Sequence, residues 1–198
     1  MLPPTNKSRG NPMSFILRRT LMRPRDALAY VNECLSLAVG KPRATWAEIA
    51  SAERAYSRNR LLALRDEWKP SYPEIDRFLN FFQSSPIRIC RDDLTRIFEN
   101  AALLPADPEF LGVRWMTELS ATIWNGLDSD DWITVYQPMV AFLFHIGFLG
   151  CVRPGEAMVF SHEQPEFVDQ ASNLAGIDEF SVHPAFHAAL DILPEASD

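Results

Sequence analysis

The chain has 198 residues, room for one compact domain or two small ones and too little for several independent enzymatic modules. Hydrophobic residues make up 47% and charged residues 23%, a balance that can bury a core and excludes a disordered or low-complexity chain. The formal net charge of −7 argues against a general nucleic-acid binder, whose affinity comes mainly from neutralising phosphates. That charge is unevenly spread: residues 1–70 carry 13 basic and 6 acidic side chains, and residues 71–198 carry 6 and 20. Halves of +7 and −14 attract one another within a fold, or one half meets a partner or phosphate.

Eight Gly against fifteen Pro favour helices punctuated by proline over a turn-rich sheet. Residues 1–12 read as a flexible, polar lead-in. A helix begins at Met13, and Pro24 opens a second in which Ala27, Leu28, Val31, Cys34, Leu35 and Ala38 form one apolar face. Thr45 with Glu48 is a capping box at the head of a long helix reaching about Trp68. A short helix follows through Ile75, Phe78 and Phe82, so residues 13–86 form a helical, lid-like bundle.

From residue 87 to 198 the pattern changes. Arg91-Asp92-Asp93 starts one helix, a second spans about 107–124, and the acidic turn at 127–131 precedes a third. Pro138 inside that third helix moves its expected start to about Tyr136. The segment FLGCVRPGEAMVFSHE then reads as a β-hairpin, with Cys151 and Val152 in one arm, a turn at 153–156, and Met158, Val159 and Phe160 in the other. Three helices and a two-stranded wing are the layout of a winged-helix module. An extended segment at 180–184 leads into an expected last helix over 185–193. The fold class is therefore mainly α, with one small hairpin.

The densest chemistry is Arg18, Arg19, Arg23 and Arg25, four guanidinium groups within eight residues around a helix start. Arginine forks suit phosphate oxygens, and a helix N-terminus adds positive potential; solvation, capping or pairing with the acidic half explains the same residues structurally. His183 and His187 stand four apart, a spacing that can present two imidazoles to a metal, but Pro184 pushes His183 toward extended geometry and no third ligand is obvious. His145 and His162 read as structural. The pairs Asp92-Asp93 and Asp130-Asp131 are adjacent at helix starts, where capping explains them better than acid/base work. No G-x-S-x-G, no Cys/His pairing and no Gly-rich phosphate cradle is present. The expected recognition helix at 136–148 holds no Lys or Arg, so it suits packing better than base edges.

The three cysteines, Cys34, Cys90 and Cys151, are widely spaced and include no C-x-x-C, which fits a reducing cytoplasm. The opening segment lacks an apolar signal region, and the most apolar stretch, 140–152, is too short to span a bilayer. No membrane partner is expected.

Arg19-Thr20-Leu21-Met22-Arg23-Pro24-Arg25-Asp26, Tyr30-Val31-Asn32, Ala52-Glu53-Arg54-Ala55-Tyr56-Ser57, Gly147-Phe148-Leu149-Gly150 and His183-Pro184-Ala185-Phe186-His187 together carry a resemblance. Over residues 13–192 the chain resembles the region after the nucleotide-binding core of bacterial STAND and AAA-like P-loop ATPases, several of them linked to phage defence. The resemblance implies a helical lid in which Arg23 and Arg25, and more weakly Arg19, contact nucleotide phosphate. With no Walker A lysine and no Walker B strand here, the resemblance implies no cofactor in this chain, with ATP reached only through a partner or a core outside it. The function expected is a non-catalytic regulatory or interaction module of a P-loop ATPase. Three rivals stand beside it: a winged-helix DNA-binding regulator, a metal- or nucleotide-dependent enzyme with an unfamiliar site, and a homo-oligomer using its exposed aromatic surface.

Overall fold

The computed structural model describes residues 1–7, 9–110, 113–129 and 131–194. The protein is mainly α-helical, with one small antiparallel sheet of three strands. α1 (Pro12–Arg18) is started by Asn11, whose side chain accepts from the backbone N–H groups of Met13 and Ser14. α2 (Pro24–Leu37) begins with proline in its first turn and has no side-chain cap. α3 (Trp46–Trp68) carries the expected capping box of Thr45 and Glu48, and Lys41 holds the Glu48 carboxylate from outside the helix. Tyr30 stacks on Tyr56 with ring centroids 4.7 Å apart, and Asp26 meets Arg60, so α2 and α3 run antiparallel as a helical hairpin.

The expected short helix is α4 (Ile75–Leu79), extended by a 3₁₀ turn at 80–82. After β1 (Ile89–Cys90) come α5 (Arg91–Ala101), α6 (Arg114–Gly126) and α7 (Trp132–His145). β2 (Leu149–Val152) follows directly, and α8 (Ala171–Ala175) and β3 (Glu179–Val182) come later. β3 is the middle strand, pairing Phe180 with Ile89 of β1 and Val182 with Leu149 of β2.

Several expectations are corrected. The helix expected over 107–124 starts only at Arg114; residues 108–110 form a 3₁₀ turn closed by the Asp107 carboxylate accepting from the Glu109 N–H at 2.9 Å. α7 starts at Trp132 and not near Tyr136, because Asp131 caps it through Thr134 and this outweighs the bond that Pro138 cannot donate. Asp130 lies outside the described residues.

The hairpin is reduced to one bridge. Its turn is present, with the Glu156 N–H donating to the Arg153 carbonyl at 2.9 Å, but only Val159 pairs with Cys151. Beyond it Phe160 swings its ring over Gly150, where a Cβ would come within 2.4 Å of a ring carbon, and the strand that completes β2 is β3 instead. The last expected helix is likewise a 3₁₀ turn at 184–186. The Ala189 N–H donates to Ser57 Oγ at 2.9 Å and Asp191 turns into the left-handed region, so the chain leaves the helical path and pairs Leu193 with Pro86.

The lead-in expected to be flexible is tied to residues 44 and 46 through its backbone carbonyls. Ala44 donates to the Met1 carbonyl at 2.8 Å, and the Trp46 indole donates to the Pro4 carbonyl. One continuous buried cluster runs from Ile16 to Leu190, with Phe82, Phe98 and Phe148 at its aromatic centre. Both sub-regions on either side of residue 86 contribute to it.

Candidate functional site

The four arginines fall on the corner where α1 turns into α2, and the structure separates their surroundings. Arg19 lies across the Phe15 ring at 3.6 Å and donates to Glu53 at 2.7 Å, so its guanidinium is occupied. Arg23 stands at the N-cap position of α2 and faces Glu67 at 3.7 Å. Arg25 projects outward, its side chain 76% exposed, and among the described residues it pairs only with the Asp26 carboxylate at 3.9 Å. Arg18 is exposed and has no partner among the described residues.

Sequence reasoning missed the member that organises this corner. Arg60 on α3 is 4% exposed and lies 3.5 Å from Asp26 and 3.6 Å from Glu67. These separations are ion pairs, too long for good hydrogen bonds, and Arg60 Nε, Asp26 Oδ2 and the Tyr56 hydroxyl have no hydrogen-bond partner among the described residues. Burial pushes the Tyr30 and Tyr56 hydroxyls well above their ordinary pKa, so both stay neutral. The signal was available: Ile49, Ala52, Tyr56, Arg60 and Leu64 lie on one buried face of α3, as Asp26, Tyr30 and Cys34 do on α2. A charge at a core position of a stripe demands a partner on the facing helix.

The result is an alternating chain of charge, Arg25, Asp26, Arg60, Glu67, Arg23. It starts and ends in cations, three against two carboxylates, and both ends flank the uncapped start of α2. Between α1 and α2 the chain makes a strained turn at Met22, a non-glycine residue at φ 54°.

Two clefts open beside that turn. The larger, about 570 Å³, lies between residues 17–22 and the segment after the Val159 bridge; Arg18, Met22, Met158, Phe160 and Glu163 line it, with His183 in its wall. The smaller, about 230 Å³, is lined by Arg23, His145, Gly147 and Ser161, and His162 borders both. His183 is 2% exposed and packs against Phe160 at 4.5 Å and His162 at 5.6 Å. Burial, helped by nearby His162, lowers its pKa to about 3, so the ring is neutral.

The two histidines singled out for their spacing are each tied to backbone. His183 Nδ1 accepts from the Ala185 N–H at 3.1 Å, and His187 Nε2 meets the Val182 carbonyl at 2.7 Å. Among the described residues no group of three or more His, Cys, Asp and Glu side chains is arranged to hold a metal ion. The expected recognition element, α7, buries Val135, Tyr136, Met139, Val140, Leu143 and Phe144 and is a core helix. No helix among the described residues is long and apolar enough to cross a membrane.

Residues 1–65 match the model of the FunZ-associated C-terminal helical domain, a segment that ends within α3 and contains the whole arginine corner. No curated protein and no solved structure matches the chain.

Proposed function

We propose that the chain is a non-catalytic regulatory module that works beside a P-loop ATPase core supplied outside these residues, with Arg23 and Arg25 meeting nucleotide phosphate or an acidic surface of that core. The observation that carries this is the unmatched cation of the charge chain: three arginines share two carboxylates at a helix start that no side chain caps. An anion docked there completes both the charge balance and the cap. Buried Arg60 fixes the two carboxylates beside which the outer guanidinium groups stand, Asp26 for Arg25 and Glu67 for Arg23. The match of residues 1–65 to a helical accessory domain supports a module of this kind. The resemblance over residues 13–192 to ATPases of which several are linked to phage defence supports a place in bacterial phage defence.

Titration of the protein with tripolyphosphate at two salt concentrations tests the phosphate contact. Saturable binding that weakens as salt rises, and that falls about tenfold or more in an Arg23→Ala, Arg25→Ala double variant of unchanged Tm, is the expected outcome. Equal binding by variant and parent removes these arginines from the role, and a large fall in Tm makes them structural. For the partnership, a Walker-containing segment encoded in frame or in an adjacent gene is expected. An unrelated neighbourhood counts against it.

A further inference from the structure

The larger cleft carries a feature the arginine corner does not explain. Because the Ala185 N–H occupies His183 Nδ1, the neutral ring bears its proton on Nε2. No protein group among the described residues accepts from Nε2, and His183 forms part of the cleft wall, so that nitrogen is reachable from the cleft. A nine-tenths-buried histidine thus presents one fixed hydrogen-bond donor to the cleft. A ligand that fills the cleft must bring an acceptor to this donor or forfeit the bond that solvent otherwise makes there.

The rest of the lining defines what brings that acceptor. Phe160 and His162 lie nearly parallel, 11° between ring planes, and Met22 and Met158 add thioethers that adapt to a flat apolar surface. Glu163 spends one carboxylate oxygen, Oε2, on the Phe160 N–H at 3.1 Å and leaves Oε1 as an acceptor. Arg18 is an unpaired cation among the lining residues. At about 570 Å³ the cleft is within the size range of small-ligand sites.

We infer that this cleft binds a nucleoside monophosphate. Its amino-substituted heteroaromatic ring lies against Phe160 and the two methionines, a ring acceptor takes the His183 Nε2 proton, the amino group reaches Glu163, and the phosphate pairs with Arg18. This site uses none of the residues assigned to the ATPase contact, so either can fail without the other.

Calorimetric titration of the protein with AMP, adenosine, inorganic phosphate and indole-3-acetate tests the assignment. AMP binds, and Arg18→Ala weakens it about tenfold while leaving adenosine unchanged. His183→Phe keeps the ring volume, removes the donor and loses both AMP and adenosine. If that variant misfolds, the imidazole ¹⁵N spectrum of the unaltered protein decides: AMP shifts the protonated His183 nitrogen and phosphate does not. No AMP binding at millimolar concentration, AMP binding unaffected by Arg18→Ala, phosphate alone reproducing the AMP response, or indole-3-acetate matching AMP in affinity each overturns the inference.

Discussion

Arg60 and Asp26 form a pair in which each partner makes the other tolerable. Both are almost wholly buried, and removing one leaves the other in a low-dielectric interior with only a longer pairing to a more exposed group, Glu67 for Arg60 and Arg25 for Asp26. Asp26→Asn is therefore expected to cost about 2–3 kcal/mol in urea unfolding, below the full penalty of an unpaired buried charge because Glu67 still faces Arg60, and more than loss of the outlying Arg25. The double change Asp26→Leu, Arg60→Met removes both charges and keeps the volume, so it should recover most of that loss. Strictly additive single effects would show that the two are not coupled. The exposed arginines were legible in the sequence because four of them crowd one short segment. Arg60 was legible only as a charge on the apolar stripe of α3; which residue it meets was not, because positions 26 and 60 face each other only once α2 and α3 fold back.

Among the elements, long helices with clean spacing were readable and the pairing of extended segments was not. The capping box placed the start of α3 to the residue and the apolar period its end at about Trp68, since both are properties of neighbours within one turn. β2 is buried along its whole length, a pattern that accepts a neighbour on either side, so nothing local distinguished Val159 from β3 as its main partner. The tail after Pro184 carried helix-like spacing in Ala185, Phe186 and Leu190, but its backbone is claimed by Ser57 and by residues 84–87, far away in sequence. Gly150 is where the sheet and the larger cleft meet. Gly150→Ala drives a methyl group into the Phe160 ring, and a loss of about 1–3 kcal/mol is expected, with altered fluorescence quenching or chemical shifts at Phe160 and His162. A stable variant with an unmoved Phe160 would mean that the ring is free to yield.

For the whole molecule, the buried histidines set how it responds to acid. His183 and His187 both have lowered folded-state pKa values, the first to about 3, through burial above all. The unfolded chain takes up protons near pH 6.5 where the folded one does not, so their contribution is complete above that pH and is lost as pH falls towards the folded values. His183 alone gives a slope of about 1.4 kcal/mol per pH unit below pH 6.5, so unfolding free energy should drop by about 2 kcal/mol between pH 6.5 and 5, before most carboxylates titrate. Stability that is flat across that interval would place a charged imidazole in the fold. His187→Gln should shallow the slope.

The position of β3 at the centre of the sheet has a consequence for the order of assembly. β1 and β2 are not neighbours; each waits for a strand that comes last in the chain, and Ile89 finds Phe180 only after some ninety intervening residues exist. The α2–α3 hairpin closes through a short local loop and can form while the chain is still emerging from the ribosome. The sheet cannot, and neither can the wall of the larger cleft, because His183 follows β3 directly. Ligand recognition at that cleft is thus one of the last properties the newly made protein acquires, and a chain truncated before residue 179 would lack it.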